Sequence, residues 1–188
     1  MKKYIPFMKS EPFVAVIRLQ GAITNSGRGL DNPGLAPVIE KAFSKGKPAA
    51  VALEINCPGG SPVQSSLIAS RIRRHADEKK ITDFAFVEDV AASGGYWLAC
   101  AANEIFIDSC SITGSIGVIS AGFGATGTIE KIGIERRVHT AGKSKSMMDP
   151  FKPEKPADVK KLKGWLEDLH ATFIDYVKSR RGTKLSDN

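Results

Sequence analysis

Residues 83–99 read DFAFVEDVAASGGYWLA. The opening DFAFV (83–87) is aromatic and β-branched and predicts a strand. Beyond Ser93, Tyr96, Trp97 and Ala101 return at helical spacing. Ser93 stands at the junction and is followed by Gly94 and Gly95, so the backbone there is bare of side chains. Strands that alternate with helices build a mainly parallel sheet.

The same alternation extends outward. FVAVIRL (13–19) predicts a first strand with Gly21 behind it, and a loop rich in Gly, Asn and Pro over 24–37 leads into a short helical stretch with Val38, Ile39 and Ala42. VALEI (51–55) is a second strand and ends in the turn NCPGGSP (56–62). Ser61 as N-cap and Pro62 at the first helical position start a helix through Val63, Leu67, Ile72 and Ala76, with RIRRHADEKK (71–80) as its wet end. EIFI (104–107) is another strand, SIGVIS (115–120) is short and apolar, and ERRVHT (135–140) predicts a strand of alternating exposure. A long amphipathic helix over about 156–180 carries the stripe Val159, Leu162, Leu166, Leu169, Phe173 and Tyr176. The reading is an α/β fold in one domain, residues 1–188 with a core over about 13–180. The stripe packs either on the chain's own sheet or against a second subunit.

Composition bounds the function. At 188 residues with 42% apolar and 25% charged residues, the chain is neither a disordered tail nor a fibrous repeat. Cys57, Cys100 and Cys110 are odd in number and lack CxxC spacing, which favours buried thiols over a disulfide framework or a zinc site. The net charge of +7 suits an anionic surface but constrains solubility more than fold. Residues 1–12 hold basic residues without the apolar core of a signal peptide. The longest uncharged run, 109–129, has five glycines and seven Ser/Thr residues and is too polar for a membrane span. The expectation is a soluble chain, cytoplasmic or peripheral to an inner membrane.

His75, His139 and His170 fall in unlike contexts with no metal-ligand spacing, and GxSxG is absent. Gly122-Phe-Gly124-Ala-Thr-Gly127 matches GxGxxG, but it lies past mid-chain and precedes only a short helical piece, which argues against dinucleotide binding. No cofactor, metal or nucleic acid is expected. Ser93 and its glycines fit a different chemistry: a serine at a helix start beside backbone N–H groups that can face a developing oxyanion. Gly59-Gly60 offers a second such N–H at the next helix start. With no histidine pattern near, a lysine is the remaining base, and Lys143 and Lys145 are equal contenders on their positions in TAGKSKS (140–146).

ASGGYWLA behind a strand, PGG after the second strand, TGSIGV (113–118) and AGKSK (141–145) occur in the order and spacing of the signal peptide peptidase A (SppA/SohB-type) serine peptidases, and the chain resembles that family from about residue 13 to 180. The resemblance implies a ClpP/crotonase-like superhelix of ββα units. It implies Ser93 as nucleophile, Lys145 as general base, Ser115 as the hydroxyl that orients the lysine, and Gly60 and Gly94 as backbone oxyanion donors. It further implies endopeptidase action on leftover signal peptides and other short or unfolded apolar peptides, by a homo-oligomeric ring or dome, with a membrane surface as a further contact. An ordinary lysine amine, with a pKa near 10.4, is under ~1% neutral at about pH 7.5. Bringing such an amine to a pKa near 7.5 takes roughly 4 kcal/mol of destabilisation of its ammonium, usually by desolvation. Three alternatives remain: a stomatin-partner peptidase with the same dyad, a crotonase-type acyl-CoA enzyme, and a catalytically silent scaffold.

Overall fold

A computed structural model describes residues 11–142 and 145–184. They form two compact units, one of residues 11–116 with 173–184 and one spanning 117–172.

The first unit is built on a parallel sheet. Its strands are β1 (Val14–Gln20), β2 (Ala50–Cys57), β3 (Asp83–Ala92), β4 (Glu104–Ile107) and β5 (Ile112–Gly114). The order is β1-β2-β3-β4, with β5 also paired to β3. Helices α1 (Asn32–Ser44) and α2 (Pro62–Lys79) are the crossovers, and α3 (Gly94–Ala99) follows β3. Side chains alternate across the pleat. Ile17, Leu19, Leu53, Ile55, Ala85 and Val87 point to one face and are buried with Ile39, Phe43, Ile68 and Ile72 of the helices. The other face stays open, with Val16, Phe86 and Phe106 exposed and the Phe86 and Phe106 rings stacked at 5.2 Å.

Several local signals carry through. Ser61 caps α2, accepting from Gln64 N–H at 3.4 Å. Others do not. α1 begins at Asn32, inside the stretch read as loop, because the Asp31 carboxylate accepts from Gly34 N–H at 2.7 Å and offsets the poor helix formers around it. β3 runs five residues past Val87, since its upper half pairs with β5 (Val90↔Ile112 to Ala92↔Gly114). The β2–β3 register shifts between Ile55↔Val87 and Cys57↔Ala91, a bulge that re-aims the end of β3.

The basic end of α2 is not uniformly wet. Arg73 bridges buried Asp83 at 2.7 Å and exposed Asp77 at 2.8 Å, and His75 stacks on Phe43 with centroids 6.1 Å apart. Cys57 and Cys100 are buried, whereas Cys110 lies in the exposed turn after β4.

In the second unit, α4 (Thr126–Lys131) is joined by part of α5 (Pro156–Arg181), whose residues 173–181 belong to the first unit. Residues 135–140 form no strand: among the described residues they meet no partner strand, and all but Val138 are exposed. SIGVIS likewise takes no regular structure. No strand leads into Gly122–Gly127, and the α4 behind it has six residues, so the GxGxxG match lacks a dinucleotide turn. Arg136 ties this unit together, 3.4 Å from the Asp149 carboxylate and 5.1 Å above the Phe151 ring. On α5, Leu162 and Leu166 are half-buried and Trp165 and Leu169 exposed, while Phe173 and Val177 are buried in the first unit.

Candidate active site

Ser93 is the residue between β3 and α3, with φ 51° and ψ −120°. That is the left-handed side of the backbone map, which a β-carbon disfavours by about 1–3 kcal/mol and which persists only when the surroundings enforce it. The enforcement is visible. Ser93 N–H donates to Gly114 O at 2.8 Å, and Trp97 N–H donates to Ser93 O at 3.0 Å. The hydroxyl makes no capping bond to α3. The side chain is half-buried and available for other work.

The Pro-Gly-Gly turn packs beneath this junction. A Cβ on Gly59 would stand 2.8 Å from both the Ser93 Cβ and Gly94 N, and one on Gly94 would collide with Ser65 Oγ. A Cβ on Gly95 would run into Cys57 O. Gly60, at φ 141°, could carry no side chain without striking Ile23 O. Ile23 donates to Gly59 O and accepts from Ser61 N–H, so this parallel bridge brackets Gly60 and leaves the Gly60 N–H turned to the other side. Gly94 opens α3, where the first N–H groups have no partner within the helix. The Gly59-Gly60 turn and the start of α3 at Gly94 thus adjoin one serine.

Ser115 is beside them. Ala92 pairs with Gly114, and Ser93 and Ser115 are the next residues along the two strands. Ser115 is exposed, at φ 53°. Lys145 belongs to the second unit, where it is exposed at the start of the turn before Asp149. Lys143, the other lysine of that loop, lies outside the described residues. The structure therefore gathers Ser93, Gly60, Gly94 and Ser115 within one unit and holds Lys145 in the other.

Supporting groups were not read from the sequence. Ser65 is fully buried, bonds Ser61 O at 2.8 Å and underlies Gly94; only its spacing four residues after Ser61 on a helix hinted at it. Burial raises the Cys57 thiol above its ordinary value, opposed by a hydrogen bond from the Gly59 backbone, so this cysteine stays neutral beside the turn.

A parallel α/β sheet with a strained serine at a strand-to-helix turn defines a hydrolase-like arrangement. Residues 73–187 match the family model described as "Peptidase family S49", and the chain belongs to that family. It is 36% identical to the "Serine protease SPPA, chloroplastic" of Arabidopsis thaliana over 75% of this chain and 22% of that protein. It is 34% identical to "Protease 4" of Haemophilus influenzae over 89% of this chain and 26% of that one. A protein of Brucella melitensis biotype 1 named "Na(+)/H(+) antiporter NhaA" is 52% identical across the whole chain, which covers 26% of it. The chain thus spans about a quarter of the length of these curated relatives. Among solved structures, a point mutant of a membrane-bound stomatin-specific protease is similar at a TM-score of 0.47 and 16% identity, covering 90% of this chain and 70% of that one.

Proposed function

We propose that the chain is a serine endopeptidase in which Ser93 attacks the peptide carbonyl and Lys145 is the general base. The observation that carries this reading is the strained Ser93, free of capping duty and packed against the Gly59-Gly60 turn at the start of α3. Lys145 takes the Ser93 hydroxyl proton as Oγ bonds the carbonyl carbon, and the N–H groups of Gly60 and Gly94 hold the resulting oxyanion. The same proton passes to the leaving amine, and water, with Lys145 again as base, releases the acyl group. Ser115 orients the lysine amine.

The substrates are leftover signal peptides and other short or unfolded apolar segments, bound extended so that main-chain hydrogen bonds tolerate varied side chains. The working form is a homo-oligomer, supported by the open sheet face with exposed Val16, Phe86 and Phe106, because parallel sheets are ordinarily covered on both faces. The net charge of +7 supports work beside an anionic membrane, on its cytoplasmic side. Among the described residues no helix is long and apolar enough to cross a membrane. The name of the Brucella relative describes antiport, whereas the family matched over residues 73–187 is one of peptidases.

The test is cleavage of an unstructured apolar peptide at about pH 8 by the wild type, Ser93→Ala and Lys145→Ala. Loss in both variants, with folding and native mass unchanged, is expected, as is a wild-type rate that climbs on the alkaline side of neutral. Full activity in Ser93→Ala would end the proposal, and full activity in Lys145→Ala would transfer the base to another group.

A further inference from the structure

We infer that Arg180 is a positioning residue for Ser93, acting through α3; the inference rests on the reading of Ser93 as nucleophile. α3 has six residues, too few to stay in place by its own hydrogen bonds. Its first end must nevertheless hold Ser93 at a disfavoured φ of 51°. Such a helix has to be gripped from outside at both ends. The N-terminal grip is the Ser93 N–H bond to Gly114 O and the glycine packing beneath it.

The C-terminal grip is the Arg180 guanidinium. Cys100, Ala101 and Ala102 form the buried turn that closes α3: the Ala101 and Ala102 N–H groups bond Leu98 O and Ala99 O, and the carbonyls of the three residues have no helical donors. Arg180 Nε donates to Cys100 O at 2.9 Å, and Nη2 donates to Ala101 O at 3.1 Å and Ala102 O at 3.2 Å. One planar fork across three successive carbonyls fixes both the rotation and the axial position of α3. Arg73 adds a bond to Ala101 O at 2.7 Å, and its other contacts face Asp83 and Asp77. Trp97, on the flank of α3, lies against Phe173 at 4.8 Å and Tyr176 at 4.7 Å, on the same helix as Arg180. The six residues of α3, about 9 Å of rise, separate the grip from the serine, so a slip at one end arrives at the other.

A lysine keeps the charge but replaces the rigid planar fork with a single compact ammonium on a flexible stem. The experiment compares acylation of Ser93 by a fluorophosphonate, together with kcat and KM on an apolar peptide, in the full chain as wild type, Arg180→Lys, Arg180→Gln and Val177→Ala. Val177→Ala empties a buried site on the same helix and serves as the control for stability. All are measured well below their melting temperatures, and the glutamine variant replaces the lysine variant if that one does not fold. Loss of the fork is expected to slow acylation by about tenfold or more, in kcat with KM within about twofold. Val177→Ala should melt lower yet acylate near the wild-type rate. Wild-type acylation in the Arg180 variants, or an equal loss in Val177→Ala, overturns the inference and leaves the nucleophile standing. A wild type that takes no label at Ser93 overturns the nucleophile reading itself, and this inference with it.

Discussion

At Ser93 the backbone is asked to do what a β-carbon resists, and the cost is measurable. Glycine adopts φ near 51° without penalty, so Ser93→Gly is expected to be more stable than Ser93→Ala by about 1 kcal/mol in denaturant unfolding, although both lose cleavage. An alanine variant equal to or above the glycine variant would show that the site is unstrained. Gly60 is the opposite case: at φ 141° and against Ile23 O, an alanine has neither conformation nor space. Gly60→Ala should cost more than about 1 kcal/mol and remove cleavage. The thiols give a third check. Burial pushes Cys100 up to about 11 and raises Cys57, while Cys110 is exposed. In the folded protein at about pH 8, a thiol reagent should therefore modify Cys110 quickly and the other two only on unfolding. Fast modification of Cys57 or Cys100 would contradict the packing around the site.

The pairing of α2 with β3 sets a larger energy. Asp83 is fully buried, and burial pushes its carboxyl up despite the Arg73 guanidinium 2.7 Å away. Arg73→Leu would leave that carboxyl without its partner, so a loss of about 3–5 kcal/mol is expected in thermal or denaturant unfolding. Asp77, 69% exposed, contributes far less to the same arginine, and Asp77→Ala should change stability by under about 1 kcal/mol. This network shows what the sequence could and could not disclose. The strand–serine–helix junction, the start of α2 at Ser61-Pro62 and β4 were legible because each is decided by neighbours in the chain. The roles of Arg73 and Arg180 were not, since they bond carbonyls 28 and 80 residues away and look like solvent-facing charges on a helix. α1 was missed at its start because Pro33, Gly34 and Pro37 imitate a loop, and only the Asp31 cap reverses that. ERRVHT has the alternation of a strand but, among the described residues, meets no strand to pair with. Ser93, Gly60 and Gly94 could be singled out as glycine-flanked turns, whereas preference for Lys145 over Lys143 came from family likeness alone.

Across the whole molecule, the buried hydrophobic core lies in residues 17–102 and at Phe173 and Val177, all in the first unit. Among the described residues of the second unit no hydrophobic side chain reaches full burial, and polar ties such as Arg136–Asp149 hold it instead. A unit without a core opens at low free-energy cost. Backbone amides of 117–142 and 145–155 should accordingly exchange with deuterium much faster than those of β2 and β3, and equal protection would contradict this division. The Asp149 carboxyl is held below its ordinary 3.8, first by the Phe151 N–H and then by Arg136. A depressed carboxylate stabilises the fold above its ordinary value and loses that contribution as pH falls through the folded one. Protection factors in the second unit, with the intrinsic pH dependence of amide exchange divided out, should therefore fall further in acid, and Asp149→Asn should remove that extra acid dependence. The proposed base, Lys145, rides on this unit. If self-association is what orders it, cleavage per chain rises with protein concentration over the range in which the native mass rises. Light scattering and peptide cleavage measured on the same dilution series decide the matter: an activity per chain that stays constant while the assembly falls apart would mean that one chain orders its own lysine.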